Sequence, residues 1–126
     1  TAQVQADRVA AACELARRLH CVALLKGCGS VVANAEGQWF INGTGNPGMA
    51  SAGMGDVLTG LVASLLAQGW PARSALLAAV HLHGAAGDVL AARGDGPVGM
   101  AAAELIDPAR RLLNEWIAEA GKPQAI

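Results

Sequence analysis

Four consecutive residues, Gly53-Met54-Gly55-Asp56, close a glycine-rich stretch at the point where a helical pattern begins. Five glycines lie between Gly43 and Gly55, with Pro47 among them, so this backbone is free to take positive φ and to approach a ligand closely. N–H groups at the amino end of a helix have no intrahelical acceptor, and flanking glycines let successive amides turn towards one oxyanion. Phosphate is the natural ligand of such a site. A carboxylate next to it repels phosphate, so Asp56 needs its own account: it is placed to take a proton from a hydroxyl that attacks phosphorus. The other account is a helix cap, a common role for an Asp at the start of a helix. A cap requires no glycine cluster, and glycine lowers stability wherever special backbone angles are not needed. The two roles are compatible.

A second cluster, Lys26-Gly27-Cys28-Gly29-Ser30, follows an apolar run at the position where open α/β sheets bind ligands. It fits a segment lying along a nucleotide, and equally an ordinary tight turn with Lys26 solvated; taken alone, the turn is the simpler reading. Cys28 has no base beside it in sequence and reads as a small packing residue. The stretch Gly43-Thr44-Gly45-Asn46-Pro47-Gly48 matches G-x-G-x-x-G by letter, but it opens no helix directly, Pro47 intervenes, and Asp56 comes too soon to be the expected acidic residue. A Walker A motif is absent, because Lys26 precedes its glycines. His81 and His83 are two apart in a helical pattern and point to different faces, which is poor spacing for one metal. The string His83-Gly84-Ala85-Ala86-Gly87-Asp88 is read as letting its helix pack against the loop that bears Asp56. Trp39, Trp70 and Trp116 are too scattered for a stacking platform and are assigned to core or interface.

The elements that must position these residues follow from periodicity. Ala6, Val9, Ala10, Cys13 and Ala16 recur at helical steps, predicting one amphipathic helix from Val4 to Leu19. Cys21 to Leu25 reads as a strand covered on both faces in a parallel sheet. Ser30 to Ala33 and Gln38 to Ile41 read as a hairpin turning through Asn34, Ala35, Glu36 and Gly37. Asp56 is expected to open a buried helix, apolar all round, that runs to Gln68 and ends at Gly69 and Pro71. A long Ala-rich helix spans Ala72 to Ala92 with Gly84 and Gly87 inside it, each about 1 kcal/mol worse than Ala and so expected to serve close packing or a bend. Asp95-Gly96-Pro97 is a turn. Asp107 is placed as a cap and Pro108 at the first position of a closing helix with Ala109, Leu112, Leu113, Trp116 and Ile117 on one face.

The 126 residues suffice for one modest domain, and 53% apolar against 15% charged residues excludes intrinsic disorder. A formal charge of −1 without a basic stripe argues against nucleic-acid binding. No uninterrupted stretch reaches the roughly 18–20 apolar residues of a membrane span, and Thr1 to Arg8 has no signal-peptide pattern. Cys13, Cys21 and Cys28 are odd in number and unclustered, which favours a reducing compartment; the expectation is a cytoplasmic protein with no membrane partner. Thr at position 1, followed at once by a helical pattern, suggests a chain that begins inside a longer gene product.

Taken together, Leu25-Lys26-Gly27, the string from Gly45 to Gly60, His83 through Asp88, and Ala103-Glu104-Leu105-Ile106 resemble the ribokinase-like superfamily, and within it the ADP- or ATP-dependent NAD(P)H-hydrate dehydratases. These matches cover most of Cys21 to Ile106 in the family's order. The resemblance implies an α/β fold, a ribokinase-like layered α/β/α sheet of which residues 1–126 are the C-terminal portion. It implies repair of hydrated NADH or NADPH, in which ADP or ATP, with Mg²⁺, phosphorylates the ring hydroxyl and phosphate is then eliminated. In that scheme Gly53, Met54 and Gly55 supply the anion-hole amides, and Asp56 contacts substrate and acts as base. Lys26, Gly27, Cys28, Gly29 and Ser30, with Gly55, hold the nucleotide. No residue is assigned to metal, and the superfamily's magnesium-associated Asn-x-x-Glu motif is absent here. Ala52 stands where many relatives have Gly. The resemblance also points to a homo-oligomer. A sugar or vitamin kinase of the same superfamily, or a catalytically silent nucleotide-binding fragment, are the competing readings.

Overall fold

Asp7 divides the first predicted helix in two. Its extended backbone (φ −146°) and its carboxylate, which accepts the Ala10 N–H at 2.9 Å, cap α2 (Arg8–Leu19) and separate it from α1 (Ala2–Ala6). The computed structural model describes residues 2–121. After α2 come β1 (Ala23–Leu25), β2 (Val31–Ala33) and β3 (Trp39–Ile41), a 3-10 turn at Pro47–Met49, α3 (Met54–Ala67), α4 (Ala72–Arg93), a second 3-10 turn at Ala102–Leu105 and α5 (Ile106–Ala120). The chain forms two compact units. One holds the residues up to Thr44 together with Leu61–His81; the other holds Gly45–Gly60 together with the residues from Leu82 onward.

In the first unit the three strands pair in the order β1-β2-β3, and both pairs are antiparallel, Leu24 facing Val32 and Val32 facing Phe40. The parallel sheet expected around Cys21 to Leu25 is therefore not formed among the described residues. The central strand β2, not β1, is the one buried throughout, while Trp39, Phe40 and Ile41 of β3 are exposed. The predicted hairpin is present. Asn34 closes it: its Oδ1 accepts the Gln38 N–H at 2.9 Å and its carbonyl accepts the Gly37 N–H at 3.2 Å. Side chains alternate across the strands, so Val31 and Ala33 meet Ala12 and Ala16 of α2, with Val9, Cys13 and Leu25 at the margin. Val32 faces the other way. With Phe40, Ile41, Leu77, Val80 and His81 it lines an open cleft of about 250 Å³ between the sheet and the first part of α4. Helix, sheet and helix thus form three layers. Arg73 of α4 lies over the Phe40 ring, 5.2 Å from its centroid, and donates to Gln38 Oε1 at 2.6 Å.

The second unit is built on the buried side chains of Met54, Leu58, Leu82, Ala86, Leu90, Met100, Leu105 and Ala109. α5 begins at Ile106, so Asp107 and Pro108 sit inside its first turn and not at the cap and first positions expected of them. Asp107 instead receives hydrogen bonds from Arg110 and then Arg111, which hold its carboxyl below the usual range on an exposed face. Glu104 caps the turn before α5, its Oε2 accepting the Ala101 N–H at 2.7 Å.

α3 is less enclosed than its apolar sequence predicts: Leu58 and Leu65 are buried, but Leu66 is exposed. α4 has 22 residues and contains an 18-residue stretch of mean hydropathy 1.4, long and apolar enough to cross a membrane by composition, yet more than half of that stretch is buried within the chain, as in the core helix of a globular domain. Trp39 and Trp70 are exposed at the surface rather than in the core.

Gly48 is required by close approach, since a Cβ there would meet the backbone of Pro97 at 2.8 Å from Cα and collide with its carbonyl oxygen. Gly48→Ala is expected to destabilise the protein by about 1–3 kcal/mol, the usual cost of forcing atoms into a packed site. Gly43→Ala, where an added methyl meets open space, is expected to be near neutral. Denaturant titration of the two variants checks the contrast.

Candidate functional site

Gly53 is the residue that makes the loop-to-helix junction possible. Its φ of +84° is left-handed, an angle that side chains resist, and its carbonyl accepts the N–H of Asp56 at 3.0 Å and of Val57 at 3.1 Å to start α3. The helix therefore opens at Met54, two residues earlier than expected, and Gly53 occupies the cap position. Asp56 is the third residue of the first turn. It caps nothing: its carboxylate is exposed and has no hydrogen-bond or ion-pair partner among the described residues, so both oxygens are available as acceptors. Negative charge in this turn is favoured by the helix dipole.

The neighbouring amides divide. Met54 buries its side chain, and its N–H points to Ser51 O at a long 3.4 Å. The Gly53 and Gly55 N–H groups have no acceptor among the described residues. Gly55 is helical, so the special backbone angle expected in this motif belongs to Gly53.

The loop leading to the junction is held by residues whose part was not apparent from motif reading. Asn46 caps the 3-10 turn, its Oδ1 accepting the Gly48 N–H at 3.1 Å. Asp88 accepts the Gly45 N–H at 2.9 Å and Asn46 Nδ2 at 3.2 Å, and His83 Nε2 lies 3.0 Å from Met54 O. The reading that residues 83–88 pack a helix against the Asp56 loop agrees with these contacts. The G-x-G-x-x-G letters at residues 43–48 lead into the 3-10 turn and not into a helix, as the context test required. Gly84 and Gly87 inside α4 signal close packing at this part of the helix, but nothing in the sequence singles out Asp88 itself.

The Lys26–Ser30 cluster belongs to the first unit and forms a compact turn after β1. Ser30 Oγ accepts the Gly27 N–H at 3.1 Å and donates to Gly27 O at 3.0 Å, and Ser30 O accepts the Asn42 N–H at 2.8 Å. Arg8 of α2 reaches over, its Nη2 donating to Leu25 O and Lys26 O at 3.2 Å each. These bonds order the turn from within; Lys26 and Cys28 are exposed. Ser30→Ala should cost about 0.5–1.5 kcal/mol, the net worth of such a bond, and accelerate amide exchange at Gly27, measurable by hydrogen–deuterium exchange.

This arrangement, a three-layer α/β unit and a glycine loop running into a helix with a free carboxylate in its first turn, belongs to a known class. The model of the NAD(P)H-hydrate dehydratase family matches residues 1–111. The chain belongs to that family. It is 50% identical over 106 residues to the bifunctional NAD(P)H-hydrate repair enzyme Nnr of Moorella thermoacetica, covering 84% of this chain and 20% of that protein. It is 43% identical over 113 residues to the ADP-dependent (S)-NAD(P)H-hydrate dehydratase of Neisseria meningitidis serogroup B, covering 90% of this chain and 38% of that one. Among solved structures it superposes on the ADP/ATP-dependent NAD(P)H-hydrate dehydratase of Bacillus subtilis, co-crystallised with ATP/Mg²⁺, with a TM-score of 0.82 and 34% identity over 90% of this chain and 42% of that one. The chain thus spans well under half the length of these relatives.

Proposed function

We propose that the complete gene product carrying this chain dehydrates hydrated NADH or NADPH, using an adenine nucleotide as phosphoryl donor. One observation carries the reading: in a chain of this family, the Asp56 carboxylate in the first turn of α3 has no partner among the described residues and stands beside two glycine amides that have no acceptor among them. The relatives' names supply the substrate and nucleotide, and the chain's geometry supplies a chemistry that suits them.

The reaction divides into two steps. The ring hydroxyl oxygen attacks the terminal phosphorus, its proton passes to Asp56, and the bond from phosphorus to the departing nucleotide breaks. The phosphorylated ring then loses phosphate together with a proton from the adjacent carbon, forming the double bond of the dihydronicotinamide. The hydroxyl oxygen leaves on phosphate, so the sum is removal of water coupled to nucleotide hydrolysis. Gly53 and Gly55 N–H groups suit the negative charge on the transferring group, with Met54 N–H as the weaker third donor. Lys26, Gly27, Cys28, Gly29 and Ser30, with Gly55, are assigned to the nucleotide; an exposed ammonium on Lys26 and the backbone of a glycine turn suit phosphate or ribose oxygens.

Mg²⁺ accompanies ATP in the Bacillus subtilis structure. Among the described residues no group of three His, Cys, Asp or Glu side chains is placed to hold an ion. The steps above run through the chain's own groups. A cytoplasmic homo-oligomer without nucleic-acid or membrane partners is part of the proposal. Three unbridged cysteines suit a reducing compartment, a net charge of −1 suits the lack of a nucleic-acid partner and the burial of α4 suits the lack of a membrane partner, while the homo-oligomer rests on the family resemblance.

Incubating the complete gene product with hydrated NADH and ADP or ATP should release phosphate and restore dihydronicotinamide absorbance. Accumulation of a phosphorylated small molecule would instead mark a kinase, and nucleotide binding without turnover a silent binder. Asp56→Asn should lower turnover by about 10²–10⁴-fold, the usual scale for a general base, with nucleotide affinity little changed. Gly55→Val should abolish nucleotide binding by filling the approach to the amides, as titration calorimetry would register.

A further inference from the structure

The segment from Gly45 to Met54 is gripped at both ends by one face of α4. His83, Gly84, Gly87 and Asp88 stand at i, i+1, i+4 and i+5, which places them within about 140° of the helix circumference. At the upstream end both oxygens of Asp88 are used, Oδ2 by the Gly45 N–H at 2.9 Å and Oδ1 by Asn46 Nδ2 at 3.2 Å. Asn46 passes the constraint on through its own Oδ1 to the Gly48 N–H. In the middle, a Cβ on Gly45 would lie 3.6 Å from Gly84 Cα, and a Cβ on Gly87 would lie 2.5 Å from Met49 Sδ, so the two helix glycines are the floor on which the loop rests. At the downstream end, Met54 O can only accept, so His83 Nε2 carries the hydrogen and donates to the first residue of α3 at 3.0 Å.

Asp88 forms no salt bridge among the described residues; its half-buried carboxylate is matched to a main-chain amide and a side-chain amide. A cation would neutralise charge without fixing a path, whereas these two donors, on consecutive residues, fix direction as well as distance. We propose that Asp88 is a positioning residue for the reaction. It pins the stem of the loop while His83 pins the first turn of α3, so that the Gly53 and Gly55 amides and the Asp56 carboxylate keep one arrangement. The kinetic part of this inference rests on the dehydratase reading above; the structural part does not.

The decisive set is Asp88→Ala, Asp88→Asn, and the swap Asn46→Asp with Asp88→Asn, each made in the complete gene product. Asn at 88 keeps an acceptor for Gly45 but sets its amide donor against that of Asn46, while the swap restores a donor–acceptor pair with the polarity reversed. Asp88→Ala is expected to lower kcat by about 10–100-fold, the scale of a misplaced reacting group, with a smaller change in KM for the nucleotide. It should also speed amide exchange between Gly45 and Met54 and leave the β1–β3 strands protected. The swap should recover most of the lost kcat and protection. A role in overall stability alone predicts loss in proportion to the unfolded fraction and no recovery by the swap, and that outcome overturns the proposal, as does wild-type kcat in Asp88→Ala. Should the unmutated protein prove inactive on hydrated NADH, exchange decides: faster exchange in Asp88→Ala and its reversal in the swap keep the pin and retire the dehydratase reading, whereas unchanged exchange refutes the pin.

Discussion

A glycine-rich loop has too few side chains to hold itself in place, and ordering it costs more backbone entropy than ordering any other sequence. The stretch from Gly45 to Gly55 meets that problem with hydrogen bonds from outside: one carboxylate, Asp88, on two consecutive residues of the stem, and one imidazole, His83, on the first carbonyl of α3. Everything chemical about the junction depends on this constraint. Unpaired amides attract an anion only if they converge, and convergence is a property of the loop's path, which Gly53 alone cannot enforce. A bond to a charged acceptor contributes about 1.5–3 kcal/mol, which adds to the burial of Met54 in holding the segment.

The first unit solves a different problem. Its strands have three residues each, and a sheet that small needs helices for stability. Alanines at 12 and 16 let α2 lie close on Ala23, Val31 and Ala33, and Arg8 at the start of the same helix reaches the carbonyls of Leu25 and Lys26. The packing of α2 therefore fixes the turn that follows β1. Gly27 has a φ of +150°, an angle that side-chain-bearing residues rarely adopt, so the glycine there is explained by the path of the turn without invoking a ligand. Lys26 is left at the surface with its carbonyl held and its ammonium without a partner among the described residues.

Local signals were readable where the cause was local. The hairpin through Asn34 to Gly37, the length of α4 and the packing role of residues 83–88 follow from turn chemistry and from the rule that an interior helical glycine needs a reason. The Gly53–Asp56 cluster was legible for the same reason, since glycine density is itself a backbone statement. Strand direction was not legible. Cys21 to Leu25 is apolar without alternation, and such a run is compatible with a parallel neighbour or with the antiparallel β2 it actually meets, because the choice is made by a partner remote in sequence. The split at Asp7 and the early start of α3 were missed because both depend on a dihedral angle, extended at Asp7 and left-handed at Gly53, that amphipathic periodicity does not encode. Asp88 was visible only as one letter of a helix, since its partners are more than forty residues away.

The displacement of the helix start from Asp56 to Met54 changes what the aspartate can do. A capping carboxylate is occupied by the N–H groups of its own helix and is turned back towards them. At the third position, with the Gly53 carbonyl already receiving the Asp56 and Val57 N–H groups, those donors need nothing from the side chain. The two functions that compete for one residue in sequence are thus divided between two: main-chain oxygen starts the helix at Gly53, and the side chain of Asp56 is released to solvent. Glycine at the cap is therefore not a weak substitute for Ser or Asp. A side-chain cap at 53 would have to adopt a left-handed φ, and its oxygen would compete for the donors left open beside it. The absence of that oxygen is what leaves both a carboxylate and unpaired amides at the same turn.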